Sequence, residues 1–220
     1  MMSRRRRSLL IKRTLDLVGS VLGLTLLAVP LVIVAVLIKI DSPGPVFFRM
    51  ERVGKDGKWF TPWKFRTMTD GAPNRGLGLA VSVDDSRITR VGKFLRITSV
   101  DELPQLIDVL RGDMSLVGPR PTLPHQVDRY NEQERKRLRV KPGITGLAAI
   151  RGRNSISWER RIEYDIWYVE HRSIWLDLKI LAATPWKAFV TREGLYGVDG
   201  VNVDFKGGVK DDRDGEAGSR

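Results

Sequence analysis

The sequence predicts an α+β chain, mainly α, in which a long N-terminal membrane helix broken at Pro30 precedes a small domain with a short hairpin and interfacial amphipathic helices. Three observations predict it. From Leu17 to Ile38, 22 positions carry no charge and are dominated by Leu, Val and Ile. Turn-forming clusters of Gly, Pro and Asp then separate short aromatic-rich stretches that read as strands. Beyond residue 156, two helix-length stretches hold four of the six tryptophans among Arg and Lys. The implied divisions are a basic arm over 1–13, a membrane helix over 14–40, a folded domain over 41–197 and a polar, unstructured tail over 198–220.

The arm holds Arg4, Arg5, Arg6, Arg7, Lys12 and Arg13 with no acid, half of a net charge of +12. Such an arm suits nucleic acid or anionic lipid, and the apolar run that follows selects lipid headgroups over nucleic acid. As a helix rising ~1.5 Å per residue the run is about 33 Å long, close to the ~30 Å of a bilayer core. A cleavable signal is a poorer fit, because Lys39-Ile40-Asp41 stands where small residues should follow. Pro30 removes a helical hydrogen bond near the middle. Both flanks are positive, with Lys12 and Arg13 before and Lys39, Arg49 and Arg52 after. The positive-inside bias therefore draws both ends to the cytoplasmic face. A re-entrant helix that enters and leaves by one leaflet meets both conditions; a kinked spanning helix is the competing expectation.

Asp41-Ser42-Pro43-Gly44-Pro45 marks the end of the membrane segment. Val46-Phe47-Phe48 and Trp59-Phe60 flank Gly54-Lys55-Asp56-Gly57 as a hairpin, and Trp63 to Met68 alternates like a strand. Residues 70–86 form a long polar loop, either a solvated connection or a lid over a site. A helix over Leu103–Leu110 ends at Gly112 as its C′ residue. Residues 124–139 are charged and helix-prone, and further helices cover roughly 156–171 and 174–191. Trp158, Trp167, Trp175 and Trp186 in these two suit a headgroup layer or an ordinary core.

The absence of cysteine excludes disulfides, thiol nucleophiles and Cys-ligated zinc, and two histidines, His125 and His171, leave acid–base work to other groups. Attention falls on Asp101-Glu102. Ser99-Val100-Asp101-Glu102 matches a capping box, and acids suit a helix start. A helix begun at Ser99 would put Pro104 too deep, so the pair belongs at the helix mouth. A carboxylate there also lies where free N–H groups attract phosphate. Arg96, Arg120 in its Pro-Arg-Pro elbow, Lys64 and Arg66 supply cations suited to phosphate oxygens. A carboxylate attacking phosphorus would need that company and a divalent cation. On residue chemistry alone, cap and catalyst remain equal.

Lys64-Phe65-Arg66-Thr67-Met68, Thr98-Ser99-Val100-Asp101-Glu102-Leu103-Pro104-Gln105-Leu106 and Gly112-Asp113-Met114-Ser115-Leu116-Val117-Gly118-Pro119-Arg120-Pro121 resemble the bacterial sugar transferases, the monotopic phosphoglycosyl transferases. The resemblance continues through Asp41 to Pro45, Lys141-Pro142-Gly143-Ile144-Thr145-Gly146, Gly152-Arg153-Asn154 and Leu176-Asp177-Leu178-Lys179. It implies a re-entrant helix and a catalytic domain on the cytoplasmic face of the bacterial inner membrane. It implies transfer of a sugar-1-phosphate from a UDP-sugar to a polyprenyl phosphate, usually undecaprenyl phosphate, as the start of glycoconjugate assembly. Asp101 would be the nucleophile, Asp101 and Glu102 the residues at Mg²⁺, and Arg96, Arg120 and Arg153 would steady phosphates. A homo-oligomer is compatible with it. Three positions depart from the family pattern: Val29 before Pro30, Leu147-Ala148-Ala149-Ile150 after Gly146, and Met50. A non-catalytic membrane-anchored scaffold, in which the acid pair only caps a helix, is the alternative.

Overall fold

The structure is a computed structural model, which describes residues 4–75, 81–82, 84–188, 201–202 and 205. It is mainly helical. Helix α1 runs Arg4–Asp41 with Pro30 inside it. Its length and composition suffice to cross a membrane. A stripe that includes Leu22, Leu26, Val29, Ile33 and Leu37 is exposed.

Both ends of α1 dock on the same folded domain. Near the first end, Lys12 Nζ binds Asp177 Oδ2 at 2.7 Å, and Arg13 donates to the carbonyls of Val109 and Leu110 at 2.6 and 2.9 Å. The buried Asp16 carboxylate accepts from Ser115 Oγ and from Leu116 N at 3.0 Å. At the other end Ile38 is buried with Phe65 and Leu95, and Asp41 Oδ2 accepts from Val91 N at 2.9 Å.

Four two-stranded pairs make up the β structure among the described residues. Strand β1 (Phe47–Phe48) pairs antiparallel with β4 (Lys64–Phe65), and β2 (Arg52–Val53) with β3 (Trp59–Phe60). The hairpin thus forms one strand later than the sequence suggests. The reason is aromatic: Phe47 stacks on Phe65 at 5.4 Å and meets Trp63 edge-on at 5.0 Å, which commits Phe47 to β4.

Strand β5 (Val81–Ser82) pairs with β8 (Val201–Asn202), and β6 (Ser115–Val117) runs parallel to β7 (Gly143–Thr145). Part of the expected 70–86 loop is built, as a 3-10 turn over Ala72–Asn74 and as β5; residues 76–80 and 83 lie outside the described residues. So does most of the expected unstructured tail. At Phe205 that expectation is corrected: its ring is fully buried with Val53, Val127, Tyr130 and Ile162.

Helix α2 (Arg90–Thr98) starts at a Thr89 cap that accepts from Gly92 N. Helix α3 (Leu106–Arg111) ends at Gly112, whose φ of 94° is the left-handed C′ the sequence anticipates. The 124–139 stretch is divided into α4 (Pro124–Val127), α5 (Glu132–Arg135) and a 3-10 turn over Lys136–Arg139. After α6 (Leu147–Ile150) come α7 (Trp158–His171) and α8 (Ile174–Trp186), close to the expected limits. Trp167, Trp175 and Trp186 are exposed, whereas Trp158 packs against the core beside Phe205.

A buried staple joins β4 to α3: Asp108 Oδ2 accepts from Trp63 N at 2.7 Å. Burial pushes the Asp108 carboxyl up to about 6, against opposing effects of the Trp63 N–H and Arg111. A carboxyl raised in the fold favours the folded state while protonated, and that advantage is lost as pH rises through about 6. Asp108→Asn keeps an acceptor for Trp63 without the buried charge. We expect it to raise the thermal midpoint at pH 7.5 and to leave it nearly unchanged at pH 3, below the unfolded value of 3.8; equal shifts at both pH values would contradict an ionised Asp108.

Candidate active site

Ser99, at φ 58°, closes α2 in the left-handed region and turns the chain into a 3-10 segment over Val100–Gln105. The α-helix proper begins at Leu106, so the expected start near Leu103 is corrected by one turn. No side chain caps the 3-10 segment, so the capping box does not form. Asp101 and Glu102 are buried, at 3% and 5% exposure, with their oxygens turned to other partners.

Lys64, on β4, reaches both acids, with Nζ 2.7 Å from Asp101 Oδ2 and 3.2 Å from Glu102 Oε1. Arg120 forks onto Glu102, at 2.6 Å to Oε1 and 3.1 Å to Oε2. Burial by itself would raise the Glu102 carboxyl, but Arg120 and Lys64 outweigh it and hold the group well below the usual carboxylate range. Asp101 Oδ1 is different. It is buried and has no hydrogen-bond partner among the described residues, an expensive condition for a carboxylate oxygen unless a ligand meets it.

The Arg120 elbow is held by close backbone contact. Gly118 N donates to Thr145 O and Gly143 N to Pro119 O, each at 2.9 Å. A Cβ on Gly118 would lie 2.9 Å from Gly143 N, so only glycine permits this approach. Thr122 O accepts from Val53 N at 2.9 Å on the other side. Pro119 and Pro121 stiffen what those bonds fix.

The remaining expected cations divide. Arg96 Nη1 bonds only weakly, to Thr67 Oγ1 at 3.2 Å, and it lines the same cavity as the acids. Arg153 lines it too, on a turn where Gly152 has φ 139° and Arg153 itself φ 53°. Burial draws the Arg153 guanidinium down, partly offset by Glu102. Arg66 borders the cavity, yet its Nη groups are spent on Pro43 O, Ser42 O and Ser42 Oγ at 2.5, 2.8 and 3.0 Å. It clamps the turn that follows α1.

The cavity measures about 550 Å³. Its lining goes beyond the residues singled out from sequence and includes Arg161, Asp165 and Arg137. Arg137 and Asp165 form a buried ion pair, and Arg137 Nη2 also donates to the carbonyl of Arg120 at 3.1 Å. The available sequence signal was an acid on the buried stripe of α7, Asp165 between Ile162 and Tyr168. Nine cations and four acids line the cavity: Arg49, Arg52, Lys64, Arg66, Arg96, Arg120, Arg137, Arg153 and Arg161 against Asp70, Asp101, Glu102 and Asp165. That surplus suits a multiply charged anion.

Comparison with known proteins agrees with this chemistry. A family model described as bacterial sugar transferase matches residues 7–191. The chain is 44% identical over 196 residues to an uncharacterized sugar transferase, EpsL, of Bacillus subtilis, covering 89% of this chain and 95% of that protein. It is 46% identical over 197 residues to a UDP-glucose:undecaprenyl-phosphate glucose-1-phosphate transferase of Klebsiella pneumoniae, covering 84% of this chain and 41% of that one. An Escherichia coli transferase of the same name is 44% identical over 195 residues, with 83% and 41% covered. The chain thus spans less than half of these two longer relatives and nearly all of the first. By the extent of the family match, the chain belongs to the bacterial sugar transferases.

Proposed function

We propose that this chain is a phosphoglycosyl transferase that moves a sugar-1-phosphate from a UDP-sugar to undecaprenyl phosphate and so starts polysaccharide assembly. The observation that carries this reading is the buried, unpartnered Oδ1 of Asp101 in a cavity rich in cations. The names of the Klebsiella and Escherichia relatives supply the donor and acceptor classes.

In this mechanism an Asp101 oxygen attacks the sugar-bearing phosphorus. A new P–O bond forms to the carboxylate, and the bond to the bridging oxygen breaks. UMP leaves with that electron pair. An oxygen of the lipid phosphate then attacks the same phosphorus, the acyl-phosphate bond breaks, and the Asp101 carboxylate returns. Lys64 orients Asp101. Glu102 holds Arg120 and Lys64 in place, where their charge can offset repulsion between the carboxylate and the diphosphate.

Mg²⁺ fits this site. The unpartnered Asp101 oxygen is a hard donor. No cluster of three or more metal-ligating side chains occurs among the described residues, and Mg²⁺ commonly takes only one or two carboxylates plus substrate phosphates. Asp101 would hold it through its open oxygen and Glu102 by exchanging a hydrogen bond from Arg120 or Lys64 for the metal, and when bound it would supply charge neutralisation at the phosphates.

The reaction is proposed for the cytoplasmic face, with α1 as a re-entrant segment and the exposed Trp167, Trp175 and Trp186 in the headgroup layer. What supports this is the docking of both ends of α1 on one domain. Residues 12 and 41 of a straight helix would stand about 44 Å apart. A helix that crossed the bilayer would carry one of those ends away from the domain. Cysteines replacing Ser8 and the exposed Asp56 should therefore both be shielded from an impermeant reagent in intact cells; labelling of one alone would rule the re-entrant arrangement out.

The transferase reading is tested with the full chain in lipid nanodiscs, Mg²⁺, undecaprenyl phosphate and a panel of UDP-sugars. One or more donors should yield UMP and a sugar-bearing lipid diphosphate together. No UMP from any donor would reject it.

A further inference from the structure

Arg161 lies on α7 one turn before Asp165, and both line the cavity. Asp165 is tied through Arg137 to the backbone of Arg120. Arg161 lies near enough to Arg120 and Arg137 for the charge of each to act on it. Its Nε donates to Ile156 O at 3.1 Å and its Nη2 to Asn154 O at 3.2 Å. Both acceptors are neutral carbonyls, and Arg161 makes no ion pair among the described residues. The same two bonds brace the turn that carries Arg153.

The guanidinium also lies over the ring of Trp158, 4.9 Å from its centroid. Burial, reinforced by the charges of Arg120 and Arg137 and opposed by Asp165 and Glu159, draws it down to about 10. Arg137 Nε, close by, is buried with no hydrogen-bond partner. A half-buried guanidinium bonded only to neutral carbonyls, beside an open donor on Arg137, suits an anion that the chain does not supply.

We infer that Arg161 binds the phosphate of the departing nucleotide, with Trp158 beside the nucleoside, so that the cavity holds the donor's two phosphates in order along Arg153, Arg120 and Arg161. This rests on the transferase reading above and adds a division of labour to it. The phosphate that stays with the sugar lies by Arg153, Arg120 and Asp101. The phosphate that leaves as UMP lies by Arg161. The lipid phosphate shares the same chemistry and attacks the same phosphorus opposite Asp101, on the side that UMP vacates, so UMP affinity is the readout that isolates the nucleotide.

The test uses UMP as the probe, on the full chain in nanodiscs. Wild type, Arg161→Gln and Arg161→Lys are compared for UMP binding by calorimetry, for KM of the UDP-sugar, and for the rate at which lipid phosphate discharges a preformed labelled enzyme. Arg161→Gln should weaken UMP binding and raise KM by about 10- to 100-fold, the scale of one or two charge-assisted hydrogen bonds. Discharge by lipid phosphate, which enters on the side UMP vacates, should slow as well, by no more than the loss in UMP affinity. Arg161→Lys should recover most of the UMP affinity, because it keeps the charge while losing the fork that braces Asn154 and Ile156.

Unchanged UMP affinity in Arg161→Gln would overturn the assignment. So would slowed discharge with UMP affinity intact, which would place the lipid phosphate at Arg161. Equal loss in both variants, with a lowered thermal midpoint, would reduce Arg161 to a brace and overturn it as well. Wild-type protein that neither binds UMP nor releases it from any donor would instead reject the transferase reading itself.

Discussion

Asp101→Asn should abolish transfer of labelled sugar phosphate to the lipid acceptor, a fall on the order of 10⁴-fold or more, as for loss of a covalent nucleophile. Asparagine has the same shape and can still accept from Lys64, which lies 2.7 Å from Asp101 Oδ2. It lacks the anionic oxygen that would attack phosphorus. The fold should survive, because Asp101 caps nothing: the 3-10 segment has no side-chain cap, and Ser99 makes its turn through backbone conformation. A scaffold whose acids served only the fold would leave transfer in the wild-type range. The assay is therefore read together with the thermal midpoint. Lost activity with an intact midpoint is the expected result.

Glu102→Gln should lower kcat by about 10²- to 10³-fold, the scale of removing one preorganised electrostatic contact. Glu102 accepts two bonds from Arg120 and one from Lys64. Glutamine can keep one acceptor at most and carries no charge, so Arg120 loses the fork that aims it. The pH dependence follows from the depressed carboxyl. A group held low in the fold contributes stability above its unfolded value, near 4.5, and loses it only as pH falls through the folded value. From pH 6 to 8 Glu102 is thus ionised throughout. The ratio of mutant to wild-type rates should stay constant over that range, and a ratio that approached one toward pH 6 would contradict an ionised Glu102.

The candidate site was legible in the sequence where its residues stand in short words. Asp101 and Glu102 are adjacent, Arg120 is fixed between two prolines, and Lys64 belongs to an alternating strand. Membrane association was legible because 22 uncharged positions leave few alternatives. What escaped depends on partners distant in sequence. The pairing of β1 with β4 is decided by Phe47 stacking on Phe65, and nothing local to residues 46–48 announces it. Arg66 looked like a phosphate ligand by residue type, yet Ser42 and Pro43, more than twenty positions away, take up its Nη groups. Arg137 and Asp165 lie 28 positions apart and meet only because α7 packs on the 3-10 turn at Lys136–Arg139. The burial of Phe205 had no signal beyond one aromatic residue in a polar stretch.

The central claim is that Asp101 carries the sugar phosphate between donor and acceptor. It is tested most directly by mixing the full chain in nanodiscs with a labelled UDP-sugar and Mg²⁺, with no lipid acceptor, then quenching, digesting and sequencing the labelled peptide by mass spectrometry. The account predicts up to one equivalent of UMP released per chain, a sugar phosphate on Asp101, and its loss as sugar-bearing lipid diphosphate when undecaprenyl phosphate is added. Transfer that proceeds at full rate while UMP release strictly requires the lipid, with no label on Asp101 at any time, would contradict it.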